Sequence, residues 1–227
     1  KVKVVEGDVS GEMQGGVMSP GAVAVEGADL TVNGNVSDGL VSDGATVTVN
    51  GNVTGNGINT VVAKKGTVTV NGTVTATDLN RQTGVLASNG SKLTVGDTEV
   101  SGKESTGVIA ESGSKATAGN VKVSGEYMTG ASAYGDSTVH VKGDVTATGE
   151  NSVGIDGETG TIKVGGDVSG IEAVVARGEA DVTVGGSVSG TLSGIVAVGN
   201  ASVSVKGDAE TKVGPGVFAQ ENATVTV

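Results

Sequence analysis

The sequence predicts an all-β chain: a single-stranded right-handed parallel β-helix (β-solenoid) of about ten turns, each of roughly 22 residues. Three observations predict it. A single unit recurs along nearly the whole chain. The apolar share is carried by 43 Val against 6 Leu, with Tyr127, Tyr134 and Phe218 the whole aromatic content. Punctuation comes from 41 Gly and only 2 Pro. A core built on aromatic area is therefore excluded, and β-branched side chains suit pleated strands. A Val-rich chain of positive mean hydropathy also has enough apolar surface to fold.

The repeat is read first. Residues Gly194 to Val205 align without gaps on Gly21 to Val32, and similar blocks run Gly84 to Val95, Gly107 to Ala118, Gly130 to Val141 and Gly216 to Val227. The shared pattern is Gly, apolar, any residue, Ala, a short turn, then a Thr-Val-Thr-Val alternation, usually followed by a Gly-Asp-Val or Gly-Asn-Val step. The last residue of the alternation falls at Val32, Val49, Val70, Val95, Ala118, Val141, Val164, Val184, Val205 and Val227, at spacings of 17 to 25 residues. An earlier copy at Val4, 28 residues before Val32, implies extra residues in the first turn.

Each element follows from that unit. Alternation puts Val47 and Val49 on one face of a strand and Thr46 and Thr48 on the other. One such unit cannot cover its own Val face, whereas stacked units cover one another. Equivalent strands then pair at about 4.8 Å, so ten turns make a rod about 50 Å long. The scatter in turn length favours the right-handed form, because left-handed β-helices keep strict hexapeptide repeats. Corners need positive φ, which Gly and Asn supply. Asn33-Gly34, Asn50-Gly51 and Asn71-Gly72 occupy one corner and predict an Asn ladder. Lys142, Gly165, Gly185 and Lys206 interrupt it in later turns. With no composition shift or linker, residues 1–227 read as a single β-solenoid domain. Both ends fall inside the repeat, which predicts a fragment of a longer repeat protein.

The Gly-Val-x-Ala, Thr-Val-Thr-Val and Asn-Gly-Asn-Val steps resemble the right-handed β-helix regions of large bacterial surface proteins, adhesins and autotransporter passenger domains. The resemblance covers nearly the whole chain, but its motifs are structural. It implies secretion, an extracellular or bacterial cell-surface location, and a role in cell adhesion or as a stalk. It carries over no catalytic residue.

Charge narrows the partners. The net charge of −11, with 25 acidic and 14 basic side chains, would repel a nucleic-acid backbone or an anionic membrane surface. No apolar run is long enough for direct membrane insertion. The partners that remain are a host or neighbouring-cell surface protein or glycan, or a second copy of the chain. Absence of Cys excludes disulfides and thiolate metal sites.

Candidate chemistry is sparse, and no catalytic residue, metal ligand or cofactor is assigned. His140 is the single His and falls at an outward position between two core Val residues. Ser112 and Lys115 match a Ser-x-x-Lys spacing, but that motif needs a helix and none is predicted. Asp8, Asn35, Asn52, Asp144, Asp167 and Asp208 share one corner position. Stacked Asp144 and Asp167 have the oxygen chemistry for Ca²⁺, although Asp and Asn also favour such corners for conformational reasons. A polysaccharide-cleaving site needs converging acids and cations, yet Arg81 and Arg177 lie several turns apart. Tyr127 and Tyr134 offer a possible sugar platform, or else fill a corner. Outward Thr pairs at Thr46/Thr48, Thr67/Thr69 and Thr224/Thr226 resemble an ice-binding array, interrupted elsewhere.

The x position of Gly-apolar-x-Ala is more informative. It holds Val23, Val41, Val62, Leu86, Ile109, Ser132, Asp156, Val175, Val196 and Phe218. Strict alternation turns these residues outward, where Val23, Val41, Val62, Leu86, Ile109, Val175, Val196 and Phe218 would form an apolar stripe for a partner. A corner at this position would turn them inward, or a loop would cover them. The function expected is a non-catalytic structural and interaction module, a rigid adhesive surface or stalk. The alternative is a carbohydrate-active β-helix with long loops near Met13 to Pro20, Asp78 to Thr83 and Lys103 to Thr106, followed by an ice-binding solenoid.

Overall fold

In the computed structural model, residues 2–11, 13–14, 17–18 and 20–227 are described. Among these residues there is no helix, and with one small exception every strand pairs in parallel. The chain forms a β-solenoid in which each turn contributes to three walls. The first wall stacks eleven strands in chain order, from Val2–Val5 through Asp29–Val32, Thr46–Val49 and Thr138–Val141 to Thr224–Thr226. The second wall includes Val53–Asn56, Val74–Asn80, Thr98–Lys103, Val121–Glu126 and Val145–Thr148. The third includes Ala22–Val25, Leu40–Asp43, Val61–Lys64, Thr83–Ser88, Thr106–Ala110, Thr129–Ala133 and Val153–Gly157.

Near the C-terminal end the second and third walls join. Val168–Ala176 and Val188–Gly199 run through the corner that separates them elsewhere, so the two walls form one 16-stranded sheet. Between these two strands the corner shrinks to a register shift between Gly170 and Glu172. In earlier turns it is a bend, with Arg81, Glu104, Tyr127 and Asn151 at φ values of 54°, 48°, 56° and 54°.

The register is the one that the alternation specifies. Val32 stands beside Val49, Val49 beside Val70, Val70 beside Val95, Ala118 beside Val141 and Val184 beside Val205. One expectation is corrected. Val5, not Val4, pairs with Val32, and Val4 is 54 % exposed. Two consecutive Val residues leave the alternation ambiguous there, and a one-residue slip exchanges the faces of a strand. The corner that follows decides the register, because Asp8 Oδ1 accepts the Asn35 N–H at 2.7 Å and Val9 bridges to Val36.

The core is a set of apolar columns. Val47, Val49, Val68, Val70, Val139 and Val141 are buried, while Thr46 and Thr67 are exposed. The Ala of the repeat has a steric reason. Ala63, Ala87, Ala110 and Ala133 face a corner filled by Gly66, Ser91, Ser114 and Ser137. Within that corner, Ser137 Oγ accepts the Ser114 N–H at 3.1 Å and Ser114 Oγ accepts the Ser91 N–H at 3.2 Å. Two columns of small residues thus line the corner between the third and first walls.

The Asn ladder forms as expected. Asn50 Nδ2 donates to Asn33 Oδ1 and Asn71 Nδ2 to Asn50 Oδ1, each at 2.7 Å. Asn33 in turn donates to Glu6 Oε1 at 2.8 Å, extending the column by one turn. The role expected for the adjacent glycines is corrected. Gly34, Gly51 and Gly72 do not have positive φ. They are required by close approach: a Cβ on Gly51 would overlap the Gly34 carbonyl, and one on Gly72 would overlap the Asn52 side chain. Positive φ is used instead between the third and first walls, at Gly27, Gly44, Lys65 and Asn89.

Part of the Met13 to Pro20 insertion lies outside the described residues, namely 15, 16 and 19; within it Met13–Gln14 pairs antiparallel with Val17–Met18.

Candidate interaction surface

Alternation on the third wall fixes the direction of each side chain. Val61 and Ala63, Val85 and Ala87, Val108 and Ala110, Val174 and Ala176, and Ile195 and Ala197 all join the continuous core. The residues between them, Val62, Leu86, Ile109, Val175 and Val196, do not. The x column therefore faces away from the core and does not turn into a corner.

The column is also continuous in register. Val23 pairs with Val41, Val41 with Val62, Val62 with Leu86 and Leu86 with Ile109. After Ser132 and Asp156 it resumes from Val175 to Val196 and from Val196 to Phe218. Val23 at its start is 57 % exposed and Phe218 at its end is 44 % exposed. Val41, Leu86, Ile109 and Val196 are half-buried, whereas Val62 and Val175 are covered. The result is an outward apolar ladder in two segments. Beside it, two residues on, runs a mixed column that includes Val25, Asp43, Lys64 and Ser88. An apolar stripe edged by polar groups is the anatomy of a protein interface.

The break between the two segments has its own chemistry. Asp156 stands in the apolar column, and its Oδ1 accepts a hydrogen bond from Arg177 Nη1. Burial pushes the Asp156 carboxyl above its ordinary range, and the Arg177 guanidinium opposes that shift without reversing it. The other Arg is far away: Arg81 pairs with Glu104 at 2.6 Å, four strands earlier on the stack. The two Arg residues share no site.

Tyr127 and Tyr134 are not brought together. They bracket the strand Thr129–Ala133, at opposite edges of the third wall. Six residues lie between them, five of which are the strand, a separation of about 20 Å. Tyr127 is 50 % exposed and borders a shallow depression with Glu104, Ser105, Thr106 and Thr129, while Tyr134 is half-buried.

The corner column of Asp and Asn has a shared structural task. Asp144 Oδ1 accepts the Asp167 N–H at 2.8 Å, Asp167 Oδ1 the Ser187 N–H at 2.7 Å, and Ser187 Oγ the Asp208 N–H at 3.1 Å. Asn35, Asn52, Asp97 and Asn120 repeat the bond in other turns. What Asp, Asn and Ser have in common is a short side chain with an acceptor oxygen (Oδ1 or Oγ), one turn below an N–H that needs an acceptor.

On the first wall His140 is exposed, as expected, between Thr117 and Lys163. Ser112 lies in a turn with φ of 54°, and Lys115 begins the strand Lys115–Ala118, so their spacing corresponds to no helix. The paired Thr positions stack as aligned, but one column matters more than the pairs. Thr31, Thr48, Thr69, Thr94 and Thr117 follow one another on five consecutive strands. Pairwise inspection of the sequence passes over this column, and writing the repeats in register reveals it.

No protein-family model, no curated protein and no solved structure matches the chain.

Proposed function

We propose that the chain is a non-catalytic structural and interaction module of a bacterial cell-surface or secreted protein, a rigid rod that displays an adhesive surface on its third wall. The observation that carries this reading is the outward ladder running from Val23 through Leu86 and Ile109 to Phe218, held in register by backbone pairing. Solvent selects polar groups at such positions, and an extended apolar stripe marks a contact surface. The parallel stack supplies the stiffness, since each turn is hydrogen-bonded to its neighbours through all three walls. The partner is a surface protein, a glycan or a second copy of the chain, and the location is extracellular.

The test is a binding screen of the purified chain against glycans and extracellular-matrix proteins, repeated with the double variant Leu86→Ser/Ile109→Ser. Saturable binding that falls by about tenfold or more in the double variant, with unchanged melting temperature, supports the proposal. A screen in which no bound protein or glycan is weakened by the double variant, or cleavage of any polysaccharide, overturns it.

A further inference from the structure

The first wall carries a charge distribution at odds with the rest of the molecule. The chain has 25 acidic side chains, yet none lies on the six consecutive strands from Thr46–Val49 to Thr161–Val164. Those strands present Lys92, Lys115, His140 and Lys163 outward, all exposed. Two pairs of them stand directly side by side: Lys92 beside Lys115, and His140 beside Lys163. Like charges directly opposite one another on adjacent strands, as at Lys92 and Lys115, destabilise a sheet. No salt bridge relieves them, because the ion pairs among the described residues are Arg81–Glu104, Lys103–Glu126 and Arg177–Asp156.

We propose that this strip of the first wall binds a linear acidic glycan. Lys92 and Lys115 share one outward column on adjacent strands, and His140 and Lys163 share the next column, two residues along, on the two strands that follow. Neighbours within a column are about 4.8 Å apart and the columns about 7 Å apart. An extended polyuronate or sulfated glycan lying along the stack brings its anions past Lys92, Lys115 and Lys163 in turn, with the His140 ring N–H as a further hydrogen-bond donor. Thr94, Thr117, Thr138 and Thr161 fill the remaining outward positions with hydroxyls, which donate to and accept from sugar hydroxyls. The wall has no Phe, Tyr or Trp on which a nucleobase could stack, and the net charge of −11 opposes a phosphate backbone. An added peptide strand is also disfavoured, since the strands of this strip are paired on both sides. The surface is a different wall from the apolar ladder and stands independently of it.

The experiment measures binding of the chain to polygalacturonate, dextran sulfate, neutral dextran and single-stranded DNA. The key variant is Lys92→Thr/Lys115→Thr/Lys163→Thr. Thr already occupies the equivalent positions in Thr46–Val49 and Thr67–Val70, so the fold is retained. Lys64→Thr/Lys103→Thr/Lys212→Thr removes the same charge from elsewhere. The expected result is salt-sensitive binding to one of the charged glycans and none to dextran. The first triple variant weakens it by about tenfold or more, while the second leaves it unchanged. Whichever charged glycan is preferred identifies carboxylate or sulfate as the recognised group. Equal loss in both triple variants, no binding to either charged glycan, or tighter binding to DNA overturns the proposal. Leu86→Ser/Ile109→Ser is predicted to have no effect on this binding, which separates its failure from that of the third-wall reading.

Discussion

Asp144 Oδ1 accepts the backbone N–H of Asp167 one turn further on, at 2.8 Å, and the same bond recurs down the corner whichever of Asp, Asn or Ser is present. The carboxylate is therefore held for its acceptor oxygen, not for its charge. Asp144→Asn is predicted to leave stability within about 0.5 kcal/mol of the wild type, whereas Asp144→Ala costs about 1 kcal/mol. Urea unfolding of the two variants checks this. Equal destabilisation by Asn and Ala would show that charge is what the position requires.

Facing on the first wall predicts a sharper contrast. Val141 is fully buried in the core, and Thr48 is half-buried on the outward side. Val141→Asp places an unpaired charge among apolar side chains and is predicted to cost about 3 kcal/mol or more. Thr48→Asp is predicted to cost less than about 1 kcal/mol. Thermal unfolding of both variants measures the difference directly.

The fold was legible because alternation and repetition agree. Val49, Val70 and Val141 could be aligned by eye, and backbone pairing follows that alignment residue for residue. The facing of the x column was less legible. Alternation argued outward and a corner argued inward, and only the positions of Val61 and Ala63 on either side of Val62 decide between them. At Val4 and Val5 alternation has two solutions, so the corner bond from Asp8 to Asn35 chooses the register. The glycines at Gly34 and Gly51 were misread for a related reason. Positive φ is a property of one residue, but close approach to the preceding turn is a property of two, and a linear sequence does not display it. The Lys92–Lys115 pairing was hidden in the same way, since the two residues become neighbours only when turns are stacked.

Thr98 breaks an inward column that holds Val74 below it and Val121 above it. It is buried, and its hydroxyl has no hydrogen-bond partner. A buried donor without a partner costs about 1 to 3 kcal/mol relative to a satisfied one. Thr98→Val restores the residue type of the column at nearly the same volume, so it is predicted to stabilise by about 1 kcal/mol. A rise in the urea midpoint at unchanged slope checks the expectation. A fall would mean that the hydroxyl is satisfied in solution.

Asp156 predicts a specific pH dependence. Burial raises its carboxyl above the ordinary value of 3.8, and Arg177 offsets only part of that shift. A carboxyl with a raised folded-state value binds its proton more tightly in the native chain than in the unfolded one. Its contribution to stability is therefore complete below 3.8 and is lost as pH rises through the folded value. Asp156→Asn removes the titration while retaining the size of the side chain. Urea unfolding of both proteins from about pH 3 to about pH 7 gives the difference, in which the other carboxylates largely cancel. The stability of the wild type relative to Asp156→Asn is predicted to fall across the lower part of that range and then level off. A relative stability that rises with pH would show that the ion pair with Arg177 outweighs burial, and that the break in the apolar ladder is held by charge.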